Sequence, residues 1–171
     1  MLNTYVVEGG VGKCTAFTAL IPKLKQKSDI QIYTPYIDCF ANNPDVKLAF
    51  EQTIPLQDPR IMASDNIYYC EPYKSNFQFG KQHIIESYCE HHGVKYDKSM
   101  KPKLYTDKYK ASVTKWLGDN NIGKYILIQF SGGQSKWTYT NSAQYQNINP
   151  NRNYQPFFAQ QVINMLLEEY K

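Results

Sequence analysis

The residues best suited to chemistry form a short turn near the start of the chain, Glu8-Gly9-Gly10-Val11-Gly12-Lys13-Cys14-Thr15. Backbone N–H groups in a glycine-rich turn that opens a helix can cradle a phosphate, and a lysine there can neutralise its charge. A hydroxyl directly after the lysine would bind magnesium, but Cys14 stands at that position, and a thiol is a poor ligand for this hard cation. The turn therefore predicts a ligand site and leaves the kind of ligand open.

The spacing of this turn resembles the deviant P-loop of partition-type ATPases. Besides Cys14, two features depart from that pattern: Val7 stands where a glycine is usual, and Pro22 interrupts the helix that should run unbroken from the lysine. The second predicted strand also ends without an acidic residue for metal and water. We expect no ATP hydrolysis. A nucleotide-binding P-loop protein and a plain glycine turn with a solvated Lys13 stay as alternatives.

The elements around the turn predict an α/β fold, a Rossmann-like parallel sheet with flanking helices. Residues 5–7 and 30–33 have strand character, and the segment between them, from residue 15, has helical spacing with a kink at Pro22. Such a unit crosses over right-handed into a parallel sheet. Further strands are predicted at residues 46–50, 66–69 and 125–130, and further helices at 80–92, 107–117 and 157–170.

The predicted strand at 125–130 is followed by a second small-residue turn, so the pattern of the first unit starts again there. We therefore predict a Rossmann-like acceptor-side domain at residues 1–120 and an incomplete second, donor-side unit at 121–171. A long polar loop at 138–155 separates the strand from the last helix. Because one strand and one helix cannot bury both faces, this unit is expected to pack on the first domain or to self-associate.

Composition excludes several classes of protein. The 171 residues carry a formal net charge of +4 without a basic run, which argues against a nucleic-acid partner. No apolar run approaches the about 20 residues that span a bilayer, and the start has no signal pattern, so we expect a cytoplasmic protein. The four cysteines lack metal-ligand spacing, and we expect free thiols and no metal. The three histidines are interpreted as structural, and most of the fifteen tyrosines as packing residues, with sugar stacking as the alternative for some.

Five segments in order and spacing resemble the family 9 glycosyltransferases, the heptosyltransferase-like group. They are GGVGKCTAFTALIPKLKQK, DIQIYTPYIDCFANNPDV, HIIESYCEHHGV, KPKLY and GKYILIQFSGGQSKW. The resemblance implies the GT-B fold, in which two Rossmann domains face each other across a cleft. It covers most of the chain, and it implies that Gly9, Gly10 and Gly12 lie on the acceptor side.

The resemblance also assigns catalytic roles, with one departure. The family's glycine turn is usually followed by an aspartate that acts as the base, and Lys13 stands at the matching position. A lysine serves as a base only when burial lowers its pKa by several units, so Lys13 could instead bind an acceptor phosphate or stabilise a departing diphosphate. Glu8, on the near side of the turn, is the other candidate base, unless it is simply a solvated residue.

The donor-side residues follow the predicted strand at 125–130, where α/β sheets bind ligands. The resemblance implies that Lys136 lies close to the donor diphosphate, and Arg152, before the last helix, could make a bidentate phosphate contact. The alternative for both is a solvated loop cation. The full predicted donor set is Ser131, Gly132, Gly133, Gln134, Lys136 and Arg152.

The function implied is transfer of a sugar from a nucleotide-activated donor to a glycan acceptor, without metal or other cofactor. Whether the chain is active with an incomplete donor unit stays open. A deviant P-loop ATPase or nucleotide-binding protein and a non-catalytic sugar-binding or assembly protein are the alternatives. The glycosyltransferase interpretation further predicts that Lys13, Lys136 and Arg152 converge on one cleft.

Overall fold

Four parallel strands form the centre of the fold: β1 (Leu2–Val6), β2 (Asp29–Thr34), β3 (Val46–Glu51) and β4 (Asn66–Tyr69). The computed structural model describes residues 1–74, 76–123 and 156–169. Their order is β3-β2-β1-β4, with β1 paired in parallel to both β2 and β4, and β2 to β3. The predicted Rossmann-like α/β class is therefore confirmed.

The described ranges contain six α-helices: α1 (Val11–Phe17), α2 (Ile21–Lys25), α3 (Pro59–Met62), α4 (Ile84–His91), α5 (Asp107–Asp119) and α6 (Pro156–Glu169). Short 3₁₀ helices lie at Ile37–Cys39, Pro72–Lys74 and Asn76–Phe79. The chain divides into two compact units, Met1–Thr114 and Lys115–Lys171, with the boundary inside α5. The predicted strand at 125–130 and the loop at 138–155 lie outside the described residues.

Alternate residues of the central strands supply two cores, one on each face of the sheet. On one face, Tyr5 and Ile32 belong to the large core that also holds buried residues of α1, α2 and α4. On the other face, Val6 and Tyr33 pack with Ile61 of α3. Burial of apolar side chains on both faces explains why the central strands are continuous and parallel.

The kink expected at Pro22 is a complete break between α1 and α2. Pro22 has no N–H to donate to the carbonyl of Thr18, and its ring would collide with that carbonyl in a continuous helix. The backbone instead tightens, with Leu20 N donating to Phe17 O at 3.0 Å and Ile21 N to Thr18 O at 3.4 Å. Pro22 then occupies the first turn of α2, where a missing N–H is tolerated.

Helix α4 begins later than predicted but ends as expected. His83 is its N-cap, and the ring Nδ1 accepts a hydrogen bond from Ile85 N at 3.2 Å. At the other end Gly93 has a φ of 59°, and Val94 N donates to Cys89 O at 2.8 Å. This is a Schellman ending, and it confirms Gly93 as the C′ residue.

A network of buried polar side chains lies near the amino ends of β1 and β2. The fully buried Thr4 hydroxyl donates to Gln31 Oε1 at 3.1 Å and lies 2.6 Å from Ser64 Oγ, which itself donates to Gln31 Oε1 at 3.3 Å. Beside it, Asn3 donates to Ser28 Oγ at 2.9 Å. These partners allow β1 to begin at Leu2, three residues before the apolar stretch that predicted it.

Candidate functional site

The strand order places a reversal of chain direction between β1 and β4. From β1 the chain moves outward to β2 and β3, and then returns to the opposite side of β1 to form β4. In open parallel sheets, ligands bind outside the carboxyl ends of the strands at such a switch point. Here those ends lead into Glu8-Gly9-Gly10 after β1 and into Cys70-Glu71-Pro72-Tyr73 after β4. The strand order therefore indicates a candidate ligand site at these two loops.

Lys13 of α1 links the two loops. Its Nζ lies 3.3 Å from both carboxylate oxygens of Glu71 and 4.1 Å from the centre of the Tyr73 ring. The Lys13 side chain is 14% exposed and that of Glu71 is 39% exposed, so the ion pair is partly shielded from water. Gly9, Lys13, Glu71 and Tyr73 are called the switch-point cluster below.

The side chain of Lys13 passes directly over Gly9, where a larger residue would block it. Its φ is +94°, a conformation that residues with a side chain rarely adopt, and a Cβ atom there would lie 2.8 Å from Lys13 Cδ. The two other glycines of the turn, Gly10 and Gly12, have nothing within 4 Å of an added Cβ. Of the three glycines predicted to bind an acceptor, Gly9 is therefore the one whose lack of a side chain the structure requires.

Glu71 and Tyr73 are site residues that the sequence reasoning missed. Glu71 Oε1 accepts a hydrogen bond from the backbone N of Tyr73 at 3.0 Å, so the loop itself holds the carboxylate in place. The signal was present, because the strand at 66–69 was predicted and an acidic and an aromatic residue follow it closely.

Glu8 lies on a different side of the turn from this ion pair. Its side chain is exposed, and Oε1 accepts a hydrogen bond from Gln52 Nε2 at 3.3 Å, beyond the end of β3. Within the described residues, the carboxylate that pairs with Lys13 is thus Glu71 and not Glu8. The structure does not bring the two predicted catalytic side chains, Glu8 and Lys13, together as an ion pair.

Cys14 points into the core. It is fully buried, with Sγ 3.7 Å from Val7 O and 3.3 Å from Thr34 Oγ1. Burial raises the pKa of the Cys14 thiol to about 11, so it is protonated at neutral pH. The position after the lysine therefore offers neither a hydroxyl nor a thiolate to a magnesium ion. Thr15, the next residue, faces Cys39, at 3.9 Å from its Sγ.

Tyr88 of α4 has a buried hydroxyl. The side chain is fully buried, with its ring in an edge contact 5.3 Å from that of Phe17. In the part of the chain that the structure describes, the hydroxyl has no hydrogen-bond partner. Burial raises the pKa of the Tyr88 hydroxyl, so it is protonated at neutral pH.

The histidines are structural in the ranges that the structure describes. His83 caps α4, and His91 Nε2 lies 3.0 Å from Tyr69 O. His92 lies among the rings of Tyr5, Phe17 and Tyr68, and burial lowers its pKa to about 4. Residues 1–74, 76–123 and 156–169 contain no group of three or more His, Cys, Asp or Glu arranged to hold a metal ion.

The predicted donor-side residues Ser131, Gly132, Gly133, Gln134, Lys136 and Arg152 lie outside the described residues. The convergence of Lys13 with Lys136 and Arg152 on one cleft therefore stays a prediction. Among the described helices, none is both long enough and apolar enough to cross a membrane.

Comparisons with known proteins give no relative from which a function could be assigned. No family model, no curated protein and no solved structure matches this chain. The resemblance to family 9 glycosyltransferases therefore rests on the five sequence segments alone.

Proposed function

We propose that this chain is a glycosyltransferase-like protein of the GT-B type, in which the switch-point cluster holds the acceptor sugar. The observation that carries the proposal is the assembly of Lys13, Glu71 and Tyr73 where β1 and β4 end. These residues come from one helix and one loop, at the place where a parallel sheet of this order binds its ligand.

The cluster has the chemistry that sugar recognition needs. A carboxylate accepts hydrogen bonds from sugar hydroxyls, an ammonium group donates to them, and an aromatic ring packs against the apolar C–H face of a sugar. Tyr73 is 46% exposed, so part of its surface is open to a ligand. In this proposal Glu71 orients the acceptor hydroxyl, and Lys13 holds Glu71 in place.

The proposed reaction needs no redox step or metal ion. The acceptor hydroxyl attacks the anomeric carbon of a nucleotide-activated sugar, the nucleoside diphosphate leaves, and the hydroxyl proton passes to the Glu71 carboxylate, which acts as the base. Positioning of the hydroxyl and stabilisation of the departing diphosphate would account for the catalysis. The donor would bind to the predicted residues between Ser131 and Arg152.

A panel of nucleotide sugars and glycan acceptors, with mass spectrometry of the products, tests this function. We expect a glycosylated product with at least one pair, and a loss of on the order of a hundredfold in rate for Glu71→Gln, because a positioned base typically contributes this much or more. Glu8→Gln is the matched control and should retain activity. Magnesium-dependent ATP hydrolysis that disappears in Lys13→Ala would instead establish the ATPase alternative.

Sugar binding without transfer is the second candidate. It is favoured by one observation, that Lys13 occupies the position at which the resemblance places a catalytic aspartate, and that its ammonium is paired with Glu71. Saturable binding of a glycan together with the absence of product for every donor would support this candidate over the enzyme.

A further inference from the structure

We propose that the switch-point cluster selects a neutral, hydroxyl-rich ligand over a phosphorylated one. The inference rests on the proposed location of the ligand site, but it does not require that the protein catalyse transfer. It also excludes the role of Lys13 as a phosphate anchor, which the glycine turn suggested.

The first argument is the charge of the cluster. Both carboxylate oxygens of Glu71 lie 3.3 Å from Lys13 Nζ, so the positive charge of the lysine is already offset. A phosphate that approached Lys13 would have to displace Glu71 or lie beside it, and close like charges are strongly unfavourable in a shielded site. A sugar hydroxyl meets no such penalty.

The second argument is the hydrogen-bonding capacity that the pair leaves open. A carboxylate offers about four acceptor positions. The described contacts of Glu71 use three of them, two for Lys13 Nζ and one for Tyr73 N. The side chain is also 39% exposed, so it can accept a hydrogen bond from a ligand hydroxyl without breaking its bond to Lys13.

The cluster also differs from the rest of the turn in how firmly it is held. Lys13 is confined by the Gly9 backbone, by the Tyr73 ring and by Glu71, and so cannot swing out easily to meet an anion in solution. A preorganised neutral pair of this kind favours ligands that bind without rearranging it.

The test is a titration of the whole chain followed by the amide NMR signals of Gly9, Glu71 and Tyr73. The neutral probes are methyl glycosides of glucose, galactose, mannose and N-acetylglucosamine, and the anionic probes are inorganic phosphate and pyrophosphate. We expect saturable shifts with at least one glycoside and none with the anions. Saturation by phosphate or pyrophosphate in preference to every glycoside, or no response to any glycoside, would overturn the proposal.

Two substitutions sharpen this test. Glu71→Gln should weaken glycoside binding by about tenfold, the effect of one charged hydrogen bond, and should create phosphate binding, because Lys13 is then free. Glu8→Gln, which removes an equal charge from the same turn, should change neither. Unchanged binding of both probes in Glu71→Gln would contradict the proposal.

The outcomes also separate this inference from the proposed enzyme. Glycoside binding without any transfer product would support the inference and remove the enzyme. Transfer to a phosphorylated acceptor, with no binding of neutral glycosides, would support the enzyme and remove the inference.

Discussion

Two buried hydroxyls in the first unit have opposite surroundings. The Thr4 hydroxyl, near the amino ends of the central strands, bonds to Gln31 and Ser64, and the three side chains satisfy one another. The Tyr88 hydroxyl, near the loop after β4, is equally buried and has no partner within the described residues. The first polar network is closed, and its hydrogen bonds stabilise the fold, whereas the Tyr88 hydroxyl contributes no hydrogen bond to stability.

His92 shows that an unpartnered polar atom does not by itself mark a site. Its Nε2 is also buried without a partner in the described part of the chain, but the rings of Tyr5, Phe17 and Tyr68 surround it. The ring of His91 also contacts that of His92, with the two ring centres 4.9 Å apart. Aromatic packing therefore accounts for the buried position of His92.

The largest expected effect is the loss of stability in acid that His92 causes. Its pKa is lowered from 6.5 to about 4 in the folded protein, so the unfolded chain binds the proton more tightly. Its contribution is fully present above pH 6.5 and is lost as the pH falls towards 4, by about 3 kcal/mol in total. Urea unfolding of the wild type and His92→Phe, compared at pH 7.5 and 4.5, measures this.

The readout is the difference between the wild type and His92→Phe in the free energy of unfolding lost from pH 7.5 to 4.5. Protonation of carboxylates lowers the stability of both proteins equally and cancels in this difference. His92→Phe should lose less stability than the wild type between the two pH values. Equal acid sensitivity in the two proteins would show that His92 is not held neutral by its surroundings.

The next largest loss of stability is expected when the hydrogen-bond network of Thr4, Gln31 and Ser64 is broken. Thr4→Val keeps the shape of the side chain but removes a hydroxyl that satisfies Gln31 and Ser64, and we expect a loss of about 2 kcal/mol in the free energy of unfolding. Denaturant unfolding at pH 7.5 gives this value. A loss of less than about 0.5 kcal/mol, the usual range for surface changes, would mean that the network does not contribute as described.

Within the glycine turn, Gly9 and Gly10 should respond differently. Gly9→Ala places a side chain on a residue with a φ of +94° and against Lys13, and should cost about 1 kcal/mol. Gly10→Ala, whose φ is −76° and whose added Cβ meets no atom within 4 Å, is the matched control. Thermal unfolding of the two variants compares them, and equal losses would remove the special role of Gly9.

The sheet was predictable because its signals are local. Strands at 46–50 and 66–69 were recognised from short apolar runs, and Gly93 was recognised as the end of α4 because a glycine is favoured at C′. The start of β1 was missed because Asn3 and Thr4 look like surface residues, and only their distant partners Ser28 and Gln31 make them suitable for burial.

The site was predictable only in part. Lys13 and the glycine turn could be identified, because a glycine-rich turn after a strand is a local pattern. Glu71 could not be paired with Lys13 from sequence, because the two are 58 residues apart and meet only through the β3-β2-β1-β4 order. The orphan hydroxyl of Tyr88 depends on packing between α4 and α1, which no local pattern encodes.

The smallest expected change in stability gives the most direct test of the contrast between the closed and the open network. Tyr88→Phe removes a buried hydroxyl, as Thr4→Val does, and its free energy of unfolding should be unchanged or higher by up to about 1 kcal/mol, because no hydrogen bond is lost. The measurement is thermal unfolding of the wild type, Thr4→Val and Tyr88→Phe under the same conditions. We predict a melting temperature for Tyr88→Phe that is equal to or higher than that of the wild type, and a lower one for Thr4→Val. A melting temperature that falls in Tyr88→Phe as it does in Thr4→Val would contradict the contrast between the two hydroxyls.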